Sequence, residues 1–568
     1  MKNPKREYFQ RLEMTINEKR EILFPVKIVS ENKTENSELL TGERKLNITL
    51  GDEPLVSISH GGFITLDFSR EICGTMRIFI RTTKGDCKIR VRFGESVAEA
   101  YSEIGEFNSS NAHSLRDCFY VAPQNAEVQT SRTGFRYARI DLIEGESLDF
   151  YCIVAESIFT AEKASGKFNC SDKLMNEIAK TAAYTASLCI QNNVVWDGIK
   201  RDRMTWIGDL HPEMLTLIDL YGDIPELMNS ICETEKFFPH YWANKIPAYS
   251  AWYVICLCDY YLYTGRLDDV KAKVGYINDI IDAFLSIVKE DGSVSYKDCN
   301  LGYWKDNEFF FDWVTNFEKD SQIGWASLVM IAMQKSAALP KSSGVDVEKA
   351  KEVERRLSQN PIRKSKFKQV EAFCYLAGRK SADEALTSLT ENCGEGMTGF
   401  LGYYILTAAA ESGAGDTVIE MIKEFYGGMI SLGATSFWED FDVKWLNDKP
   451  QGLCDIPEKD KKNIHRDYGK HCYKGFRHSL CHGWTSGVYA FFIRQVLGVT
   501  PTEAGFKKAR ISPNLFGMKK VSGVVPTPLG KITVKFENVN GKIKGVIKKP
   551  KEMLLDCPIA ENCEIIDR

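Results

Sequence analysis

The spacing of apolar residues changes twice along this chain, and that change limits the folds it can adopt. In the first part, apolar and polar residues alternate, as where Ile89, Val91 and Phe93 are separated by basic residues. Alternation is typical of a strand with one buried and one wet face. The middle part has the spacing of helices, and alternation returns from Thr500 onwards. The pattern therefore predicts a multidomain α and β protein.

Three domains follow from these changes. We expect a β-sandwich with a leading segment over residues 1–165, a helical domain over 166–497 and a second β-sandwich over 498–568. The helical region has room for about a dozen helices of ~11–12 residues each. Such a number fits a closed toroid of paired helices.

Local signals mark where the elements begin and end. Asp172 is typical of a helix N-cap, and Gly265 of a residue that follows a helix. The pair Asn540-Gly541 between two alternating runs is a strong hairpin signal. Gly61-Gly62 is expected to form a turn, and Pro212 to lie in the first turn of a helix.

Composition excludes several classes of protein. The 568 residues are 44% hydrophobic, with 73 Lys and Arg against 77 Asp and Glu. The hydrophobic fraction is sufficient for packed cores. The nearly equal numbers of basic and acidic residues lack the basic excess of a nucleic-acid binder. No apolar run reaches the ~18–20 residues of a membrane span, and the first residues lack the apolar core of a signal peptide. We expect a cytoplasmic protein without membrane contact.

Cysteine usage agrees with that compartment. The 17 cysteines are an odd number without framework spacing, so reduced thiols are expected. Cys472 and Cys481 lie near three histidines, but their spacing matches no closed zinc ligand set. The sequence predicts neither a metal nor another cofactor.

Two segments of the helical region combine acids with tryptophan. Residues 196–209 hold three aspartates, two arginines and two tryptophans, and residues 434–442 place Trp438 beside Glu439. Aromatic faces stack on sugar rings, carboxylates bind hydroxyls, and glycosidic cleavage needs two further carboxyl groups. The alternative is that the charged residues form ordinary ion pairs and the tryptophans are core.

Five motifs, in order, resemble those of the bacterial α-L-rhamnosidases, glycoside hydrolase family 78. The family segment is approximately D-C-P-Q-R-E-x-L-G-W-T-G-D, and residues 197–209 match it in type and spacing at five positions. The others are Gly433–Glu439, Ser479–Gly483, the junction from Leu497 to Pro513, and Gly94-Glu95 with residues 134–137. The resemblance covers about residues 60–540.

The resemblance implies an (α/α)6 toroid flanked by β-sandwiches and an inverting, exo-acting hydrolysis of terminal α-L-rhamnose. It implies Asp202 as general acid and Glu439 as general base. The remaining implied substrate-binding residues are Asp197, Arg201, Trp206, Asp209, Trp252, Asp312, Trp313, Trp438 and His482.

This chain departs from the family at several of these positions. The acid is Asp202 instead of the usual Glu, Cys481 replaces an Asn, and the family's Asp-Trp pair near Pro247 is absent. Two alternatives therefore stay open: the same fold acting on another terminal sugar, and a carbohydrate-binding relative without catalysis. A homo-oligomer, in which a second copy completes the pocket, is also compatible with the sequence.

Overall fold

The computed structural model describes residues 18–46, 53–160, 162–238, 242–296 and 309–568, and only the backbone of Asn244. The predicted absence of a signal peptide concerns residues outside these ranges. No described helix is long and apolar enough to cross a membrane. Every described cysteine is a free thiol, and many are buried, as predicted.

Within the described residues, eight antiparallel strands form the N-terminal sheet. In spatial order six of them are Glu18–Leu23, Ser147–Thr160, Val56–Lys84, Thr133–Glu144, Lys88–Gly94 and Asp117–Val121, and Lys27–Glu35 and Ala126–Gln129 also pair with Val56–Lys84. Ile89, Val91 and Phe93 are at most 1% exposed. The apolar face predicted for this segment is confirmed, but the opposite face is not fully wet, because Arg92 is 5% exposed and ion-paired with Glu103 and Asp141.

The turn predicted at Gly61-Gly62 is wrong. Both glycines lie inside the strand Val56–Lys84, where Gly61 has φ +68°. The partner strand Lys27–Glu35 continues past them with a shift of register between Asn32 and Thr34. The glycines therefore form a bulge, because the partner continues on both sides and the chain does not reverse there.

Helices dominate the middle of the chain. Their bounds are Lys173–Cys189, Ile207–Tyr221, Pro225–Phe237, Pro247–Thr264, Leu267–Ala272, Val274–Ile287, Ser321–Ala337, Val347–Ser358, Lys368–Leu376, Ala382–Thr390, Gly402–Glu411, Thr417–Ser431 and Val488–Phe491. All of Pro247–Thr264 except Tyr261 and Leu262 is buried, so this helix packs against protein on nearly every side.

Helix ends follow the local signals, with one exception. The Asp172 carboxylate accepts the N–H groups of Leu174 and Met175, at 2.9 and 3.2 Å. Pro212 is not in a first turn. The helix begins at Ile207, directly after its N-cap residue Trp206, so Pro212 is its sixth residue.

The C-terminal sheet has five strands in the described part of the chain. Their order is Cys563–Asp567, Lys542–Lys549, Gly530–Val539, Lys520–Thr527 and Lys167–Cys170. Asn540 and Gly541 both have positive φ, as the predicted hairpin requires. Because Lys167–Cys170 lies before the first long helix, the start of the predicted helical domain belongs to this sheet.

The N-terminal sheet packs against the second acidic segment. Arg136 forms a two-point ion pair with Asp67 and donates to the Gly433 carbonyl at 3.0 Å. The Glu71 N–H donates to the Thr435 hydroxyl at 2.9 Å. The β domain thus fixes the chain that leads into Glu439. The overall order of a β region, a helical region and a β region is as predicted.

Candidate active site

The two acidic segments meet at one pocket of about 180 Å³. Its lining combines acids, one arginine, one histidine and aromatic rings. These residues are Asp197, Arg201, Asp202, Trp206, Asp209, Ile246, Tyr249, Phe310, Trp313, Glu439, Tyr473, His482 and Trp484. Eight of the eleven residues that the motifs singled out therefore come together, although they lie up to 285 positions apart in sequence (197 to 482).

Backbone hydrogen bonds tie three segments together beneath the pocket. The Gly483 N–H donates to the Asp197 carbonyl at 2.7 Å, and the His482 N–H donates to the Phe437 carbonyl at 2.9 Å. The Glu439 N–H donates to the Ser479 carbonyl at 3.0 Å. Since these bonds join segments far apart in the chain, they fix the acids relative to one another.

The backbone at the first acidic segment is strained. Asp202 and Arg203 have φ values of +53° and +58°, which non-glycine residues rarely adopt. Each costs on the order of 1–3 kcal/mol, and such residues cluster at functional sites. The Asp202 side chain at this strained position is 20% exposed.

One guanidinium contacts both predicted catalytic carboxyl groups. Arg201 reaches Asp202 Oδ2 through Nη1 at 3.3 Å and contacts Glu439 Oε1 through Nη2. Its plane lies over the Tyr473 ring, 3.8 Å from the centroid. Burial alone would lower the pKa of Arg201, but Glu439 and Asp202 raise it above its usual value. Arg201 is thus a permanent cation between two acids.

Glu439 is buried and well supplied with donors. Its side chain is 3% exposed, and Oε2 accepts the Ser479 N–H at 3.1 Å. Arg201 and the Ser479 N–H both donate to Glu439, so its two oxygens act as acceptors, as those of a general base must.

A neutral histidine lies between three carboxyl groups. His482 Nε2 is 3.9 Å from oxygens of Glu439 and Asp197 and 4.0 Å from Asp209. Burial lowers the pKa of His482 well below its usual value, with Arg201 acting in the same direction. Its ring stacks on Trp484 at 4.1 Å, which fixes the orientation of the imidazole.

The aspartates at the pocket floor favour their protonated forms. Burial raises the pKa of Asp197 well above its usual range, and the nearby Asp202 and Asp209 raise it further. Burial also raises the pKa of Asp209, although the Tyr249 hydroxyl, which donates at 3.0 Å, opposes this. Protonated carboxyl groups can both donate to and accept from sugar hydroxyls.

Three residues implied by the resemblance do not line the pocket. Trp252 is 1% exposed and is enclosed by the rings of His211 and Tyr404, with centroids 5.5 and 5.2 Å away. Trp438, also 1% exposed, packs edge-on against Phe441. Asp312 accepts the Thr398 hydroxyl at 2.8 Å and caps a short 3₁₀ turn. The structure therefore does not bring these three side chains to the acid-lined pocket, and Trp252 instead lines a separate cavity of about 360 Å³.

Aromatic residues that the sequence analysis missed complete the wall. Tyr249 stands where the family's Asp-Trp pair was expected, and Trp484 follows His482 by two residues, so both had a positional signal. Tyr473 lies in a polar stretch, and nothing in the sequence indicated that it would line the pocket. Its contact with Arg201 depends entirely on tertiary structure.

The described residues contain one group of metal-ligand type, formed by Glu95, Glu99 and His465. Lys200 Nζ is 2.8 Å from Glu99 and 3.2 Å from Glu95. The Lys200 ammonium already occupies the position beside both carboxyl groups, so the group does not fit a divalent cation.

The burial of Asp312 leads to a testable pH dependence of stability. Burial raises its pKa to about 7, although the Thr398 hydrogen bond lowers it. Because the folded protein binds this proton more tightly than the unfolded chain, the wild type loses stability as the pH rises from the ordinary aspartate pKa of about 4 to the folded-state value of about 7, and the loss then levels off. We expect Asp312→Asn to gain stability relative to the wild type between pH 4 and pH 7, by up to about 4 kcal/mol.

Urea unfolding across this pH range measures the effect. The exposed Asp268→Asn variant is the control and should leave the pH dependence unchanged. Parallel curves for wild type and Asp312→Asn would show that Asp312 is charged in the folded protein.

The arrangement defines a class: a multidomain protein with an acid-rich pocket in a helical region between β domains. Comparison with known proteins makes the class of protein more specific. Residues 498–554 match the family model described as "Bacterial alpha-L-rhamnosidase C-terminal domain". An α-L-rhamnosidase of Alteromonas sp. (strain LOR) is 33% identical over 145 residues, which cover 24% of this chain and 13% of that protein.

Solved structures share the fold over most of the chain. The family 78 rhamnosidase of Bacillus sp. GL1 has a TM-score of 0.69 at 17% identity, covering 92% of this chain and 55% of that one. A Klebsiella oxytoca rhamnosidase with rhamnose bound has a TM-score of 0.66 at 18% identity, and the match covers 86% of this chain and 97% of that one. The chain thus spans about half the Bacillus protein. These matches confirm the resemblance to the α-L-rhamnosidases that the motifs indicated.

Proposed function

We propose that this protein is a glycoside hydrolase that removes terminal α-L-rhamnose. The observation that carries the proposal is the contact of Arg201 with both Asp202 and Glu439 in an aromatic, acid-lined pocket. This supplies the two carboxyl groups that glycosidic cleavage requires, together with groups that bind a sugar ring. The names of the relatives support rhamnose as the first sugar to test.

Each carboxyl has a role that matches its surroundings. Asp202, which is partly exposed, would protonate the glycosidic oxygen, so that the aglycone leaves with that proton. Glu439, which is buried and paired, would take a proton from the attacking water. Direct attack by water inverts the anomeric centre without a covalent intermediate. Neither step requires a metal or another cofactor.

The size of the pocket supports exo action. At about 180 Å³ it is below the ~300–1,000 Å³ of sites for drug-sized ligands, which suits one terminal ring. We also propose that the helices close into an (α/α)6 toroid around it. His113 of the chain's own β domain lies at its edge, so one copy should be sufficient for hydrolysis.

Hydrolysis of p-nitrophenyl α-L-rhamnopyranoside tests the proposal. Nuclear magnetic resonance during the first turnovers should show β-L-rhamnose as the initial product. First appearance of the α-anomer would contradict inversion. Asp202→Asn should lower kcat by about 10²–10⁴-fold, the usual contribution of a general acid.

Two other outcomes correspond to the alternatives. Turnover of a different aryl glycoside, with no activity on the rhamnoside, would show that the fold acts on another sugar. A thermal shift with L-rhamnose but no turnover of any glycoside would indicate a binding protein. In that case Asp202→Asn would not weaken binding.

A further inference from the structure

A histidine of the β domain contacts the predicted general acid. His113 lies in the loop before the strand Asp117–Val121 and has φ +70°. Its Nδ1 is 2.5 Å from the backbone nitrogen of Asp202 and 3.0 Å from Asp202 Oδ1. His113 belongs to none of the sequence motifs, and the proposed reaction gives it no role.

The two distances restrict where the protons are. The Asp202 N–H can only donate, so His113 Nδ1 must accept and carries no proton of its own. Nδ1 and a carboxylate oxygen would then be two acceptors 3.0 Å apart, which repel each other. Protonation of Asp202 on Oδ1 removes this repulsion, because the O–H can share the Nδ1 lone pair with the backbone N–H, while Oδ2 still accepts from Arg201 Nη1 at 3.3 Å.

We infer that His113 is a positioning residue for the general acid: its Nδ1 accepts the Asp202 N–H, which orients the strained loop, and it accepts a hydrogen bond from the Asp202 O–H until Asp202 delivers that proton to the leaving group. The inference rests on the proposed function. It offers a way for the short Asp202 side chain to keep one orientation, because His113 contacts both its backbone N–H and its carboxyl group.

The loop around His113 is anchored on both sides. Arg203 Nη1 donates to the His113 carbonyl at 3.3 Å, and Arg203 lies over the Trp196 ring, 4.7 Å from its centroid. The neighbouring Ser114 hydroxyl donates to the Lys200 carbonyl at 2.8 Å. These contacts hold the imidazole against Asp202 from the opposite domain.

The proton balance closes over one turnover. Asp202 gives its proton to the glycosidic oxygen as the bond to the anomeric carbon breaks, and the alcohol leaves. Water attacks the anomeric carbon and loses a proton to Glu439. Glu439 then releases that proton to solvent, and solvent reprotonates Asp202 beside His113, whose side chain is 39% exposed.

Leaving-group dependence separates this role from a merely structural one. A poor leaving group, as in methyl α-L-rhamnoside, needs acid assistance, whereas 2,4-dinitrophenolate leaves with little. We expect His113→Ala to lower kcat about tenfold or more on the methyl glycoside and less than about threefold on the dinitrophenyl glycoside. His113→Asn, whose amide oxygen can replace Nδ1 as acceptor, should keep most of the activity on both.

His60→Ala is the matched control, since His60 is an exposed histidine of the same β domain, and it should behave as the wild type on both substrates. Thermal melting of all variants checks their folding. If His113→Ala loses activity equally on both substrates, or loses none, the inference is overturned. The proposed function still stands in that case, provided that the wild type is active. A wild type inactive on both glycosides would overturn the two together.

Discussion

Glu439→Gln should lower kcat on p-nitrophenyl α-L-rhamnopyranoside by about 10²–10⁴-fold, with little change in KM. The amide keeps the shape of the side chain but cannot accept a proton from water. It also leaves Arg201 without a carboxylate at Nη2, inside a pocket where Glu439 is only 3% exposed. Steady-state kinetics with the exposed Glu420→Gln as control measure the loss.

Azide provides a sharper test of the same assignment. As an anion it attacks without a general base, so it should restore turnover in Glu439→Gln and give a rhamnosyl azide of inverted configuration. Asp202 would still protonate the leaving group. Retention of wild-type kcat in Glu439→Gln, or no rescue by azide, would contradict the assignment of Glu439 as base.

Lys200→Met should destabilise the protein by about 3–5 kcal/mol, because it removes the cation from a buried group of acids. Lys200 Nζ contacts Glu99 at 2.8 Å and Glu95 at 3.2 Å, and it donates to the His478 carbonyl at 3.0 Å. The two glutamates are 1% exposed. Without Lys200 the two glutamates would be buried close together without the cation that contacts both carboxyl groups, because the nearby Arg116 donates to backbone carbonyls instead.

The loss should depend on pH. Burial raises the pKa of Glu95 to about 7, while Lys200 lowers it. Below pH 6, protonation can neutralise Glu95 in the variant, so the destabilisation should be smaller at pH 5.5 than at pH 8. Urea unfolding at both values measures this, with the exposed Lys271→Met as control. Equal stability of Lys200→Met and wild type at pH 8 would show that the acids are already protonated.

Activity should fall with stability in Lys200→Met, even in the folded fraction. Glu95 Oε2 also accepts the Leu480 N–H at 2.7 Å, next to the Ser479 backbone that holds Glu439. The β domain therefore supports the loop under the general base. This contact could not be predicted from Glu95, which sequence analysis treated only as part of a β-domain motif.

The sequence by itself determined what depends on near neighbours. The change of apolar period separated β from α regions, Asp172 and Asn540-Gly541 marked local geometry, and the spacing of Asp197, Asp202 and Asp209 indicated the site. Such signals can be recognised in the sequence because capping, turn geometry and alternation depend on residues only a few positions apart.

Only the tertiary structure decided which side chains face the pocket and what they contact. Trp252 and Trp438 have the residue type of sugar platforms, but both side chains are 1% exposed and neither lines the acid-lined pocket. His113 carries no signal in its own segment, yet it contacts Asp202 across 89 positions of sequence. Side-chain direction and distant partners are set by the packing of whole domains, and no local pattern contains that information.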